Sequence, residues 1–163
     1  MTIRIPSEKI VKGIKVSLEK AKQHLLSAEV LVTKNCLNDA VVLIEFAIEE
    51  FGRAVALREK LQAGSEDIER DLFINHHLKY EKAWSVLPPE LKTIYEGTFS
   101  PLNFHPDDFD TETETMSPQT RLDATFVHFD EHTQEWKKGI QVDPEKLLTI
   151  IKRIRENIAN FKW

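Results

Sequence analysis

Apolar residues recur at alternating spacings of four and three in the first part of the chain: Val11, Ile14, Leu18, Ala21, Leu25, Ala28 and Val32. That rhythm follows the 3.6-residue turn of an α-helix and predicts an amphipathic helix from Ser7 to Thr33, opened by Pro6-Ser7-Glu8. Asn35-Cys36-Leu37-Asn38 reads as a short turn with Asn38 as N-cap. A second helix then runs from about Asp39 to Gln62, and so short a turn implies an antiparallel hairpin. The segment Ala40–Arg58, AVVLIEFAIEEFGRAVALR, is apolar almost all round, which marks a buried helix. Gly64-Ser65 ends it.

Three carboxylates interrupt that buried helix. Glu45, Glu49 and Arg53 share a strip at i, i+4 and i+8, where a solvated ion-pair ladder suffices. Glu50 falls off that strip, between Leu43 and Leu57 on the wheel. A carboxylate placed there needs a cation or donor from a neighbouring helix.

A third helical region covers about Glu66 to Leu87, with Leu72, Phe73, Leu78, Ala83 and Trp84 as core candidates; Pro88-Pro89 breaks it. Glu90–Glu96 adds one or two turns. Gly97 to Pro118 differs in composition: it holds three prolines, five acidic residues and isolated aromatics. It reads as an acidic loop, either a solvated insertion or a functional segment. Ser117-Pro118 and Asp143-Pro144 both follow the grammar of a helix start, an N-cap residue and then proline. Between them Phe126, Val127 and Phe129 suit a strand as well as a helix. Leu147, Ile150, Ile151, Ile154 and Ile158 give the last helix an apolar face. The architecture expected is one all-α domain over residues 1–163, a bundle of four or five helices, with no recurrent strand signal.

Composition narrows the function classes. At 163 residues the chain can bury a core without metal or disulfide. A net charge of -5 argues against a broad basic footprint for nucleic acid, though not against a local one. The single cysteine, Cys36, excludes a disulfide framework and a CxxC metal pattern. No apolar leader or membrane-length run is visible, so a cytoplasmic location is expected.

Donors that can answer Glu50 lie on the third helix. His76 and Lys79 are i, i+3 on one face, against the alternative that Lys79 snorkels outward. Arg70 precedes His76 with five residues between and His77 with six, and Arg121 precedes His128 with six. On a helix an i, i+7 pair shares a face. Such a pair suits RNA cleavage without metal, the arginine holding the phosphate and the histidine moving a proton. Arg53, Arg70 and Glu49 are the further binding candidates. Glu-x-x-His, HExxH, phosphate-cradling glycine loops and a nucleophile elbow are all absent, so neither metal nor cofactor is expected.

Taken in order, three segments resemble the abortive-infection AbiV family of the HEPN superfamily. AVVLIEFAIEEFGRAVAL is similar to the family's Ala-x-x-L…A-x-E-E-x-G-K-A helix. FINHHLKYEKA resembles its F…H-x-x-K segment, with His76 and Lys79 on the matching positions. Arg121, Ala124–His128, Trp136, Asp143 and Pro144 resemble its R…Y-V-D…W…P block. The chain departs at Arg53 (Lys in the family), Phe126 (Tyr) and His128 (Asp), so Arg121 is the better match of its pair. The resemblance implies a helical HEPN bundle and a role in phage defence by arresting growth or translation. It also implies a homodimer and a phage or host regulatory partner. Many HEPN domains are metal-independent endoribonucleases with an R-x4-6-H motif; others only bind RNA or nucleotides. Two functions follow as expectations. One is a toxin-like endoribonuclease with Glu50, His76, Lys79, Arg121 and His128 at its centre. The other is a non-catalytic RNA-binding or interaction module whose polar cluster is structural.

Overall fold

A computed structural model describes residues 1–99, 127–130 and 134–163. Among these the elements run β1 (Thr2–Arg4), α1 (Ser7–Thr33), α2 (Leu37–Gln62), β2 (Asp67–Glu69), α3 (Asp71–Ile74), α4 (His76–Trp84), α5 (Pro89–Phe99), β3 (Val127–Asp130), β4 (Glu135–Lys138) and α6 (Pro144–Asn160). Helix dominates, as the periodicity predicts.

The α1–α2 hairpin is the frame. Both helices end in the same way. Asn35 and Gly64 take left-handed backbone angles (φ 58° and 66°). Cys36 N donates to Leu31 O at 2.9 Å and Asn35 N to Val32 O at 3.0 Å; Ser65 N donates to Lys60 O at 3.0 Å and Gly64 N to Leu61 O at 3.1 Å. Each is a Schellman closure that satisfies carbonyls the helix leaves orphaned. The start of α1 lacks a capping side chain of its own. Glu66 supplies one from across the fold, accepting from Ser7 N at 3.1 Å. Two contacts set the hairpin register: Gly13 meets Leu57, and the His24 ring lies 5.6 Å from that of Phe46.

The core lies between these helices and α6. Ile14, Leu18, Ala21, Leu25, Ala28 and Val32 are buried on α1, with Ile10 in place of the expected Val11. Leu147, Ile150, Ile151, Ile154 and Ile158 are all buried on α6. Each such side chain contributes about 1.5–3 kcal/mol. Asp143 caps α6 through Glu145 N at 2.9 Å, with Pro144 in the first turn, as expected. Beyond α6, Phe161 sits edge-on to Phe51 at 5.2 Å and beneath the Arg58 guanidinium at 4.5 Å.

Several expectations are corrected. Residues 66–87 are not one helix. Asp67–Glu69 pairs antiparallel with Thr2–Arg4, and Asn75 (φ -87°, ψ 111°) separates α3 from α4. Of the two readings left open around Phe126–Phe129, the strand holds for Val127–Asp130, where the β3–β4 hairpin sets His128 opposite Lys137. The chain offers its own N-terminal strand as a partner for residues 67–69, which no local pattern reveals. Phe73 is exposed, whereas Tyr80 and Tyr95 are buried. Asn38 does not cap α2, which begins at Leu37; its Oδ1 accepts from Ile140 N at 2.8 Å. Residues 97–99 belong to α5. The rest of the expected acidic loop, the Ser117-Pro118 helix start and Arg121 lie outside the described residues. No described helix is long and apolar enough to cross a membrane.

Candidate functional site

Helix α4 is seated on α2 by an absent side chain. A Cβ on Gly52 would overlap the main-chain oxygen of Lys79 and lie 2.6 Å from its carbonyl carbon and 3.1 Å from Ala83 N. Only glycine lets the two backbones approach this closely. Asn75 starts α4, its Oδ1 accepting from Leu78 N at 3.2 Å. His76 therefore occupies the first helical position and Lys79 the next turn, both over Glu49.

One oxygen of Glu49 receives both groups. His76 Nδ1 lies 2.7 Å and Lys79 Nζ 3.3 Å from Glu49 Oε2. The Glu49 and Lys79 side chains are only 7% and 3% exposed, so this is a buried ion pair. The His76 side chain is 46% exposed and forms the mouth of the cluster. With Nδ1–H donated to the carboxylate, Nε2 is the nitrogen available for chemistry. Lys79 balances the charge of Glu49 whichever form His76 takes. Glu45, one turn earlier on the same face of α2, is also buried. At the far end Lys82 pairs with Glu59 at 2.5 Å.

The sequence placed the right partners on the wrong carboxylate. His76 and Lys79 converge, but on Glu49 and not on Glu50. Glu50 is half-buried, 17% exposed at its side chain, and is satisfied within α2 by Arg53 at 2.9 Å. The strip of Glu45, Glu49 and Arg53 is no solvated ladder: Glu45 and Glu49 are both buried, Glu49 beneath His76 and Lys79 of α4. An all-apolar wheel does not say which side the next helix takes, and so the polar strip reads as the exposed one. Lys79 does not snorkel outward. Arg70 precedes α3, is exposed, and turns its Nη1 to Met1 Sδ at 3.7 Å; it shares no continuous helix with His76. His77 is exposed beside His76.

A second histidine borders this region and carries no motif. Gly52 faces α4 and Leu57 faces α1, and five residues at 100° each set those directions ~140° apart. Phe46, Glu49 and Arg53 fall in the sector between them. His24 of α1 reaches this sector through its ring contact with Phe46. Partial burial, and then the nearby Lys20 ammonium, hold the His24 imidazole below its ordinary pKa, favouring the neutral ring. The one signal available in the sequence was its place at the edge of the α1 seam, beside Ala21, Leu25 and Ala28, with a lysine one turn before it.

Among the described residues no three His, Cys, Asp or Glu side chains are grouped to hold a metal ion. The chain matches the family model of AbiV, a HEPN group, over residues 9–151. Neither the curated proteins nor the solved structures contain a match to it.

Proposed function

The chain belongs to the AbiV family of HEPN domains, a group of abortive-infection proteins, and from that premise we propose that it is a metal-independent endoribonuclease. The observation that supports this reading is the mounting of His76. A buried carboxylate grips Nδ1, and the ring stands half-exposed with Nε2 outward. An imidazole held in one orientation by a carboxylate is a general acid or base in waiting. Glu49 and Lys79 act through it as positioning residues. Arg121, which matches the family's arginine, is assigned to the scissile phosphate, and His128 is a candidate for the second proton transfer. Arg53 flanks Glu49 on α2 and is the described cation best placed to meet an incoming phosphate. Cutting RNA would arrest translation in an infected cell. The same reading brings a homodimer, which sedimentation velocity checks, and a phage or host protein as regulator.

The test is incubation of the purified protein with cellular RNA in the presence of chelator. Cleavage is expected, and His76→Ala should slow it by at least about 100-fold while leaving the fold intact. Intact RNA under conditions where the wild-type protein is folded overturns the proposal.

One feature favours a second reading, a non-catalytic module. A buried Glu49–Lys79 pair is suited to fixing the register of α4 on α2. On that reading His76→Ala changes neither RNA integrity nor RNA binding, and the cluster matters only to folding.

A further inference from the structure

We propose that Phe73 is a stacking platform for one base of single-stranded RNA, set beside His76. This rests on the endoribonuclease reading and adds to it a nucleobase subsite that neither motif nor family match assigns. The sequence pattern puts Phe73 in the core, yet it is 37% exposed, and Ile74 beyond it is 65% exposed. Of residues 69–77 only Leu72 is buried, so Arg70, Phe73, Ile74, His76 and His77 share one open stretch of surface. Local hydrogen bonds hold that stretch compact. Phe73 N donates to Arg70 O at 3.0 Å, which closes a turn whose ends lie within about 7 Å. Asn75 N donates to Asp71 O at 2.7 Å, and Asn75 Oδ1 then caps α4. Strand β1 braces the stretch: Arg70 N donates to Met1 O at 3.0 Å, and Ile68, opposite Ile3, is buried beneath. Three peptide units separate Phe73 from His76, so their α-carbons are at most about 11 Å apart.

The chemistry of the patch selects its occupant. An unpaired base offers an apolar face to a phenyl ring and carries a phosphate beside it, and proteins that hold single strands combine such rings with nearby cations. Arg70 supplies the cation. Its Nη1 turns to Met1 Sδ at 3.7 Å, and among the described residues no carboxylate pairs with it; its neighbour Glu69 is tied to Lys60 at 2.6 Å. A base seated on Phe73 holds a neighbouring linkage of the strand against the outward Nε2 of His76, and Arg70 meets a flanking phosphate. A base inside a duplex has no face to offer, so the substrate class is single-stranded RNA. Every base has a π-face, so the subsite fixes where the strand lies more than which sequence it carries. Phe73 and Arg70 bind the strand and take no part in proton transfer.

The experiment uses single-stranded oligoribonucleotides from which one base at a time is removed, the sugar–phosphate chain being left whole. Binding is read by fluorescence anisotropy with His76→Ala protein, so that the RNA stays intact, and cleavage is read with His76 in place. Removing the base at one position should weaken binding about 10-fold, within the range typical of one stacked base. Phe73→Ala and Phe73→Leu, each confirmed as folded by melting, should weaken binding of the complete oligonucleotide by the same factor, and that of the one lacking this base no further. Phe73→Trp should bind as the parent protein does, and none of the three should change binding of a fully paired duplex. In cleavage Phe73→Ala should raise KM and leave kcat nearly unchanged. Phe73→Ala that binds and cuts like the parent, while His76→Ala does not cut, overturns this inference alone. So do losses from Phe73→Ala and from base removal that multiply at every position. Loss of a dimer in Phe73→Ala, seen by sedimentation velocity, puts a second copy on the patch and overturns it too. A folded wild-type protein that cuts no RNA but shows the single-position base dependence overturns the endoribonuclease reading and upholds the subsite; one that neither binds nor cuts overturns both.

Discussion

The α-carbon of Gly52 lies directly against the main-chain carbonyl of Lys79, with no room for a methyl group between them. This contact fixes how deep α4 sits on α2, and so where Lys79 and His76 meet Glu49. The glycine of the family's E-E-x-G motif thereby has a steric reason in this chain.

Gly52→Ala should lift α4 away from α2. Backbone cannot yield as a side-chain tip can, so the cost should be about 1–3 kcal/mol or more. Thermal melting will show it. Restoration of wild-type stability by a smaller residue at Lys79 is not expected, because the clash is with main chain.

Glu49 and Glu50 are neighbours with opposite predicted sensitivities. Glu49→Ala leaves Lys79 buried without its counter-charge, which should cost about 3–5 kcal/mol. Glu50→Ala removes an i,i+3 pair with Arg53 near the surface and should cost about 1 kcal/mol or less. Denaturant unfolding of the two variants side by side measures the difference; equal losses would mean that α4 does not cover Glu49 in solution.

Among the described residues, His24 and Glu66 both contribute to the response to acid. His24 is held below its ordinary value of 6.5 by burial and Lys20. The unfolded chain therefore binds a proton there before the folded one does, and stability falls as pH drops below that value. Glu66 is held below 4.5 by the Ser7 amide, the Arg4 guanidinium and the Ser7 hydroxyl. Its contribution is complete above 4.5 and is lost as pH falls through the lower, folded value. Melting temperature against pH should flatten in the upper range for His24→Gln and in the lower range for Glu66→Gln.

Alkali acts through a buried phenol. The Tyr80 and Tyr95 hydroxyls lie 3.5 Å apart in the core, and Trp84 packs against Tyr95. Burial pushes Tyr95 well above its ordinary value of 10.0. The unfolded chain loses that proton first, so stability should fall as pH rises past 10. Phenolate absorbance should then appear together with loss of helical circular dichroism, not before it.

The helical fold was legible because α1, α2 and α6 each carry an unbroken seam, and Asp143-Pro144 marks a start that the structure keeps. The site was half legible. His76 and Lys79 follow from their spacing, but their carboxylate does not, since Glu49 and Glu50 differ by 100° on a helix that is apolar nearly everywhere. What decides between them is Gly52, whose meaning appears only when Lys79 is laid on it. The β1–β2 pairing escaped for a related reason: residues 2–4 and 67–69 are too short to show a period and too far apart to show a hairpin. His24 carries no motif, and its contact with Phe46 is a property of the turn that pairs the two long helices.

That turn has a kinetic consequence. The hairpin closes from Asn35 outward, each contact lying next to one already made, so α1 and α2 can zip together early. Helix α4 is a nine-residue piece seated on this frame by the Gly52 gap, the buried Tyr80 and Ala83 and three ion pairs to α2, and it can open while the longer hairpin persists. In amide hydrogen exchange, residues 76–84 should open well before the facing turns of α2. The histidine of the site would then be the last piece of the protein to arrive and the first to leave.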